Sequence, residues 1–270
     1  MTANFSFKRL LQLISKQWIE NRRMYSMSVL ALLGALSITI ALWLAASGKH
    51  YQEDNLYAIG LIGLFITGAI FASTSFNMLN AKDAGIYWIS FPASHLEKML
   101  VTLFFNVIVF TAAYMVCFFV LKFLAEIYIQ ALIDHAEYPN QYGYDKIRWD
   151  RVHGLGPSLP YFLSAFFAVQ AAFVLGSASF KRFSFIATLI IIATVLLLTI
   201  FFIAKLSKSM ISRGYYFELT TVSSKDVVNG TYKQYAINGY LKIFIEVFLY
   251  YLLAPFLWVV TWFKLKEKEM

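Results

Sequence analysis

The chain has 270 residues, of which 60% are hydrophobic and 14% charged, with mean hydropathy +0.63; soluble domains carry about 45–50% apolar and roughly 25% charged residues. That balance excludes a soluble globular fold and intrinsic disorder, and the single cysteine, Cys117, excludes a disulfide scaffold. The net charge of +8, from 23 Lys+Arg against 15 Asp+Glu, is explained by basic cytoplasmic loops in a polytopic membrane protein without any nucleic-acid partner.

In chain order, residues 4–23 come first. Phe7, Leu10, Leu11, Ile14 and Trp18 recur on one helical face, and Lys8, Arg9, Gln12, Ser15 and Lys16 occupy the other. This pattern predicts a basic amphipathic helix lying at the cytoplasmic membrane surface. It either only orients the first span or also touches a cytoplasmic partner.

Six apolar runs then reach the length of about 20 residues that a helix needs to cross the hydrocarbon: 24–46, 56–76, 100–121, 159–180, 183–204 and 240–263. The runs are continuous rather than alternating, which predicts helices and not barrel strands. The expected fold is an all-α polytopic membrane protein with one six-helix domain over 24–263 and a short tail, 264–270. The first apolar run begins too late and is too long for a cleavable signal peptide.

The cytoplasmic segment 77–99 joins the second and third spans. Lys82–Ser90 predicts about two helical turns, ended by Phe91–Pro92 because a residue before proline avoids the α region. Ser94 stands three residues before Glu97, the spacing of a capping box that would start the third span. A short helix fixed between two spans is a lever through which a soluble motor could move both. Deep in the third and fourth spans, Asn106 and Gln170 are candidates for interhelical hydrogen bonds or for a cargo path. Small residues at intervals of four, Gly68 and Ala72 in the second span and Ala168, Ala172 and Gly176 in the fourth, predict close helix packing. Only Lys181–Arg182 separates the fourth and fifth spans, which must form a tight antiparallel hairpin.

The outer segments are 122–158 and 205–239. The first begins by extending the third helix and continues mostly as turns. Its Asp134, His135 and Glu137 read as charges of a solvated helix rather than metal ligands. The second is polar and tyrosine-rich, with a turn signal at Asn229-Gly230. In the last span Glu246 lies roughly 9 Å deep, costly unless it finds a partner or water; Lys242, one turn away, could pair with it. Pro255 should kink the span. With the N-terminus inside, the inner segments hold 12 Lys+Arg in 55 residues and the outer ones 10 in 81, a bias that places both termini in the cytoplasm.

Lys82-Asp83-Ala84-Gly85, an apolar stretch, and then Phe91-Pro92-Ala93-Ser94-His95-Leu96-Glu97-Lys98 resemble the segment after the second span of ABC-2-type transporter permeases. The six-span layout, the amphipathic N-terminal helix and the extended loop before the last span are similar as well. The resemblance implies a permease subunit of an ABC exporter in a bacterial cytoplasmic membrane. Lys82, Asp83, Gly85, Ile86, Tyr87 and Trp88 would contact a separate ATP-binding subunit, while Pro92, Ser94 and Glu97 hold the geometry. It also implies pairing with a second permease copy or a paralogue. ATP would be bound by the partner subunit, and this chain would need no cofactor.

The chain contains no G-x-x-x-x-G-K-[ST] phosphate loop, no H-E-x-x-H and no G-x-S-x-G, so a non-catalytic subunit is expected. The alternative is a membrane-embedded enzyme or a non-transporting assembly factor with its site in the outer segments, where Asp, His and Arg are available.

Overall fold

The computed structural model describes residues 5–47, 53–76, 93–134, 159–180, 182–210, 215–218, 221–225, 232–236 and 239–269. Among them lie α1 (Phe7–Ser47), α2 (Glu53–Thr74), α3 (His95–Leu103), α4 (Phe110–Asp134), α5 (Leu159–Ser179), α6 (Ser184–Met210), α7 (Gly239–Val247) and α8 (Leu253–Glu269). A π-helical turn, Phe104–Val109, joins α3 to α4, and a second, Phe248–Leu252, joins α7 to α8. Six helical stretches are long and apolar enough to cross a membrane, one for each apolar run.

The sequence boundary at Arg23–Met24 carries no break in the backbone. Residues 7–33 hold neither proline nor glycine, so nothing local ends the helix where its composition changes from basic to apolar. α1 therefore runs for 41 residues, about 60 Å, roughly twice the hydrocarbon thickness. Just past the boundary, Ser26 and Ser28 donate their hydroxyls to the carbonyls of Arg23 (2.9 Å) and Met24 (2.8 Å). Such back-bonds satisfy a hydroxyl without outside help.

α5 is the central helix, packed against α2, α6 and α8. One core joins Ala69 and Ala72 of α2 and Phe76 just after it with Met99 of α3, Phe173, Val174 and Ala178 of α5, and Leu265 of α8. A second joins Leu36 of α1 to Tyr57 and Leu64 of α2, Tyr114, Cys117 and Phe118 of α4, and Phe166 of α5. Small residues let these helices approach. A Cβ built on Gly176 would collide with Thr188 of α6, and one built on Gly68 would collide with the Phe166 ring of α5. The glycines of the predicted small-residue faces are thus filled from within the chain. Away from α5, α6 is apolar on every side yet largely uncovered: Leu196, Leu197, Leu198, Ile200, Phe201 and Phe202 are all exposed. A helix of that kind is solvated by lipid rather than water.

One region departs from the all-helical expectation. Within 205–239, β1 (Tyr215–Glu218), β2 (Thr221–Lys225) and β3 (Tyr232–Ala236) form an antiparallel sheet in the order β1-β2-β3. The register pairs Glu218 with Thr221 and Lys225 with Tyr232. These strands are too short and too polar to register as apolar runs, and pairing satisfies their backbone groups locally. The Asn229-Gly230 turn lies outside the described residues.

The hairpin between α5 and α6 turns within four residues, 180–183. Phe183 carries it in the left-handed region, with φ 52°, a conformation that favours glycine.

Candidate functional site

Ser94 and Glu97 form the capping box expected from their spacing. Ser94 Oγ accepts from the Glu97 N–H (3.2 Å), and Glu97 Oε2 accepts from the Ser94 N–H (2.9 Å). Two unpaired donors at the start of α3 are satisfied reciprocally. Glu97 has a second set of partners that the sequence did not signal. Its Oε1 accepts from the backbone N–H of Ser6 at 2.6 Å and from the Arg9 guanidinium at 3.3 Å (Nε) and 3.1 Å (Nη2).

Ser6 immediately precedes α1, and its carbonyl accepts from the Leu10 N–H at 3.1 Å. The carboxylate of Glu97 thus sits at the N-termini of two helices at once, where both helix dipoles favour a negative charge. Its side chain is fully buried. A buried carboxylate is tolerable when donors surround it, and here two backbone amides and a guanidinium do so. The result is a polar joint between the re-entry point of the 77–99 loop and the first turn of the chain's first helix.

The rest of the proposed coupling set cannot be placed around this joint: Lys82, Asp83, Gly85, Ile86, Tyr87, Trp88 and Pro92 lie outside the described residues. So do His135 and Glu137.

Asn106 and Gln170 are brought together. Asn106 falls in the π-helical turn Phe104–Val109, and its backbone carbonyl accepts from Gln170 Nε2 of α5 at 2.7 Å. Asn106 Nδ2 donates to Ser75 Oγ (2.8 Å) and to the Thr102 carbonyl (2.9 Å). Both side chains are buried, Asn106 at 3% and Gln170 at 1% exposure. The pair therefore forms an interhelical seam joining the end of α2, the third span and α5. A π-helical turn shifts the backbone bonding pattern locally, and this is the turn whose carbonyl Gln170 reaches.

Glu246 lies half-buried on α7, two residues before the second π-helical turn; the side chain of Lys242 is outside the described set. Pro255 follows that turn at the start of α8. The missing proline N–H would have bonded the carbonyl of Tyr251, four residues earlier, and the altered bonding pattern of Phe248–Leu252 covers that position.

A further charged pair lies beyond the predicted end of the third span. Lys122 and Glu126 of α4 are 2.7 Å apart, with both side chains largely buried, and Lys122 Nζ stands 4.7 Å from the centre of the Tyr57 ring. Its i,i+4 spacing was legible in the sequence; its burial against α2 was not. Among the described residues no group of three or more metal-ligating side chains is gathered.

No known protein family, curated protein or solved structure matches this chain.

Proposed function

We propose that the chain is the transmembrane permease subunit of an ATP-driven exporter of the ABC-2 type. In this reading both termini are cytoplasmic, and the basic start of α1, continuous with the first span, extends on the cytoplasmic side of the membrane. Segment 82–91 receives the stroke of a separate ATP-binding subunit, and the pathway forms between this chain and a second permease.

The observation that carries the reading is the Glu97 joint. A lever between two spans transmits force only if its far end is anchored. Glu97 fixes the re-entry point to α3 through Ser94 and to α1 through Ser6 and Arg9. A push on the 77–99 segment would then move α1 and the third span together. The six membrane-length helices and the resemblance of Lys82–Lys98 to the coupling segment of such permeases add support.

The test is to look for an ATP-binding cassette protein encoded beside this chain and to purify the two together in detergent. Copurification and a changed rate of ATP hydrolysis are expected. Gly85→Trp, and Tyr87→Ala combined with Trp88→Ala, should uncouple hydrolysis from transport while the chain stays in the membrane. A cassette protein that neither copurifies nor changes its hydrolysis would refute the reading.

A further inference from the structure

Beside α1, the π-helical turn and the start of α4 line an open trough of about 810 Å3. Its walls are apolar, from Val29 and Leu32 on one side to Phe105, Val109 and Ala113 on the other. Two serines also reach it, Ser26 and Ser28, but their hydroxyls donate to carbonyls of α1 itself. At one end stand Arg22 and Arg23.

Two other cations of α1 have carboxylate neighbours. Arg9 pairs with Glu97, and Lys16 lies 3.8 Å from Glu20. Neither Arg22 nor Arg23 meets a carboxylate among the described residues. Beside them Trp18 stacks on Tyr25 with ring centres 5.9 Å apart, and Tyr25 stacks on Phe105 at 5.3 Å. Trp, Tyr and Arg gathered at one level are the side chains that mark a membrane–water interface.

The dimensions narrow the occupant. From Arg22 to Leu32 is ten residues, about 15 Å along a helix, or half of the roughly 30 Å hydrocarbon. The trough is one leaflet deep and has its cations at the headgroup level. A neutral lipid has no use for two arginines, and a soluble anion has no use for an apolar trough.

We propose that this cavity is a binding site for one anionic glycerophospholipid, its phosphate held by Arg22 and Arg23 and an acyl chain lying between α1 and the third span. The site requires only that the chain spans a bilayer, so it stands apart from the transport reading.

The experiment uses the full chain in nanodiscs of phosphatidylcholine with phosphatidylglycerol titrated in, and retained lipid is read by native mass spectrometry. Wild type should hold phosphatidylglycerol in preference to phosphatidylcholine. Arg22→Gln with Arg23→Gln should weaken that retention roughly 30-fold, at about tenfold per 1.4 kcal/mol and about 1 kcal/mol per basic side chain near an anionic surface. Arg22→Lys with Arg23→Lys should keep most of it. Ala113→Trp retains both charges and fills the trough, so it should abolish retention, and Leu30→Trp, on the exposed side of the wall, should do the same without disturbing the core. Retention unchanged by the Gln pair would overturn the site. Retention unchanged by both Trp variants would reduce it to general surface attraction, and displacement by inorganic phosphate would reduce it to a simple anion site; either result also overturns the proposal.

Discussion

Arg9 and Glu97, 88 positions apart, are joined by an ion pair of 3.1 Å in which the Glu97 side chain is fully buried and the Arg9 side chain is 37% exposed. The asymmetry predicts unequal mutational costs. Glu97→Ala removes the capping box, the acceptor of the Ser6 and Ser94 amides and an ion-pair partner of Arg9, and should cost about 2–3 kcal/mol. Arg9→Ala leaves the carboxylate its two backbone donors and should cost about 1 kcal/mol, discounted for the exposure of the guanidinium. A double-mutant cycle on unfolding in detergent should give a coupling of about 1 kcal/mol; strictly additive costs would show that the two side chains do not meet.

Gly176 and Thr188 set the spacing of the α5–α6 hairpin. A Cβ at 176 would strike Thr188 Oγ1. Gly176→Ala should therefore destabilise the protein by about 1–3 kcal/mol through overpacking. Adding Thr188→Ala should recover much of that loss. If the double variant melts no higher than Gly176→Ala alone, the close approach lies elsewhere.

Gln170 donates through Nε2 to the Asn106 carbonyl inside the protein. Gln170→Leu removes its bond to the Asn106 carbonyl, and interhelical hydrogen bonds in membranes are worth about 0.6 kcal/mol on average, at most about 1.7. A loss of about 1 kcal/mol is expected, measured by reversible unfolding in mixed micelles. Asn106→Leu should cost more, since Asn106 Nδ2 ties Ser75 and Thr102 together.

Phe183 holds a left-handed backbone at the tip of the hairpin and is exposed. Phe183→Gly removes the steric penalty of that conformation and should raise stability by about 1 kcal/mol, seen as a higher melting temperature. A lower one would mean that the Phe183 ring contributes more than its backbone costs.

The membrane-length helices were readable because bilayer thickness fixes their length, and a window of about 20 residues captures that constraint directly. The Ser94–Glu97 box was readable for a similar reason, since its two partners are three residues apart. Arg9 was not readable as a partner of Glu97: the basic face of an amphipathic helix offers several cations, and nothing local selects one. The π-helical turns have no residue signature of their own, although Pro255 marked the neighbourhood of the second. The strands β1 to β3 escaped notice because each is only four or five residues long, too short for an alternating pattern to stand out. The trough beside α1 depends on where α4 comes to lie, which is a property of packing and not of either helix.

The four-residue link between α5 and α6 also bears on how the protein is made. Two helices joined so closely are suited to enter the bilayer together as one helical hairpin. The candidate span within α5 has a hydropathy of 1.7 and includes Gln170, whereas that within α6 reaches 2.9. The more apolar helix should then draw its less apolar neighbour into the membrane during biosynthesis, so that lowering the hydrophobicity of α6 should hinder the insertion of α5.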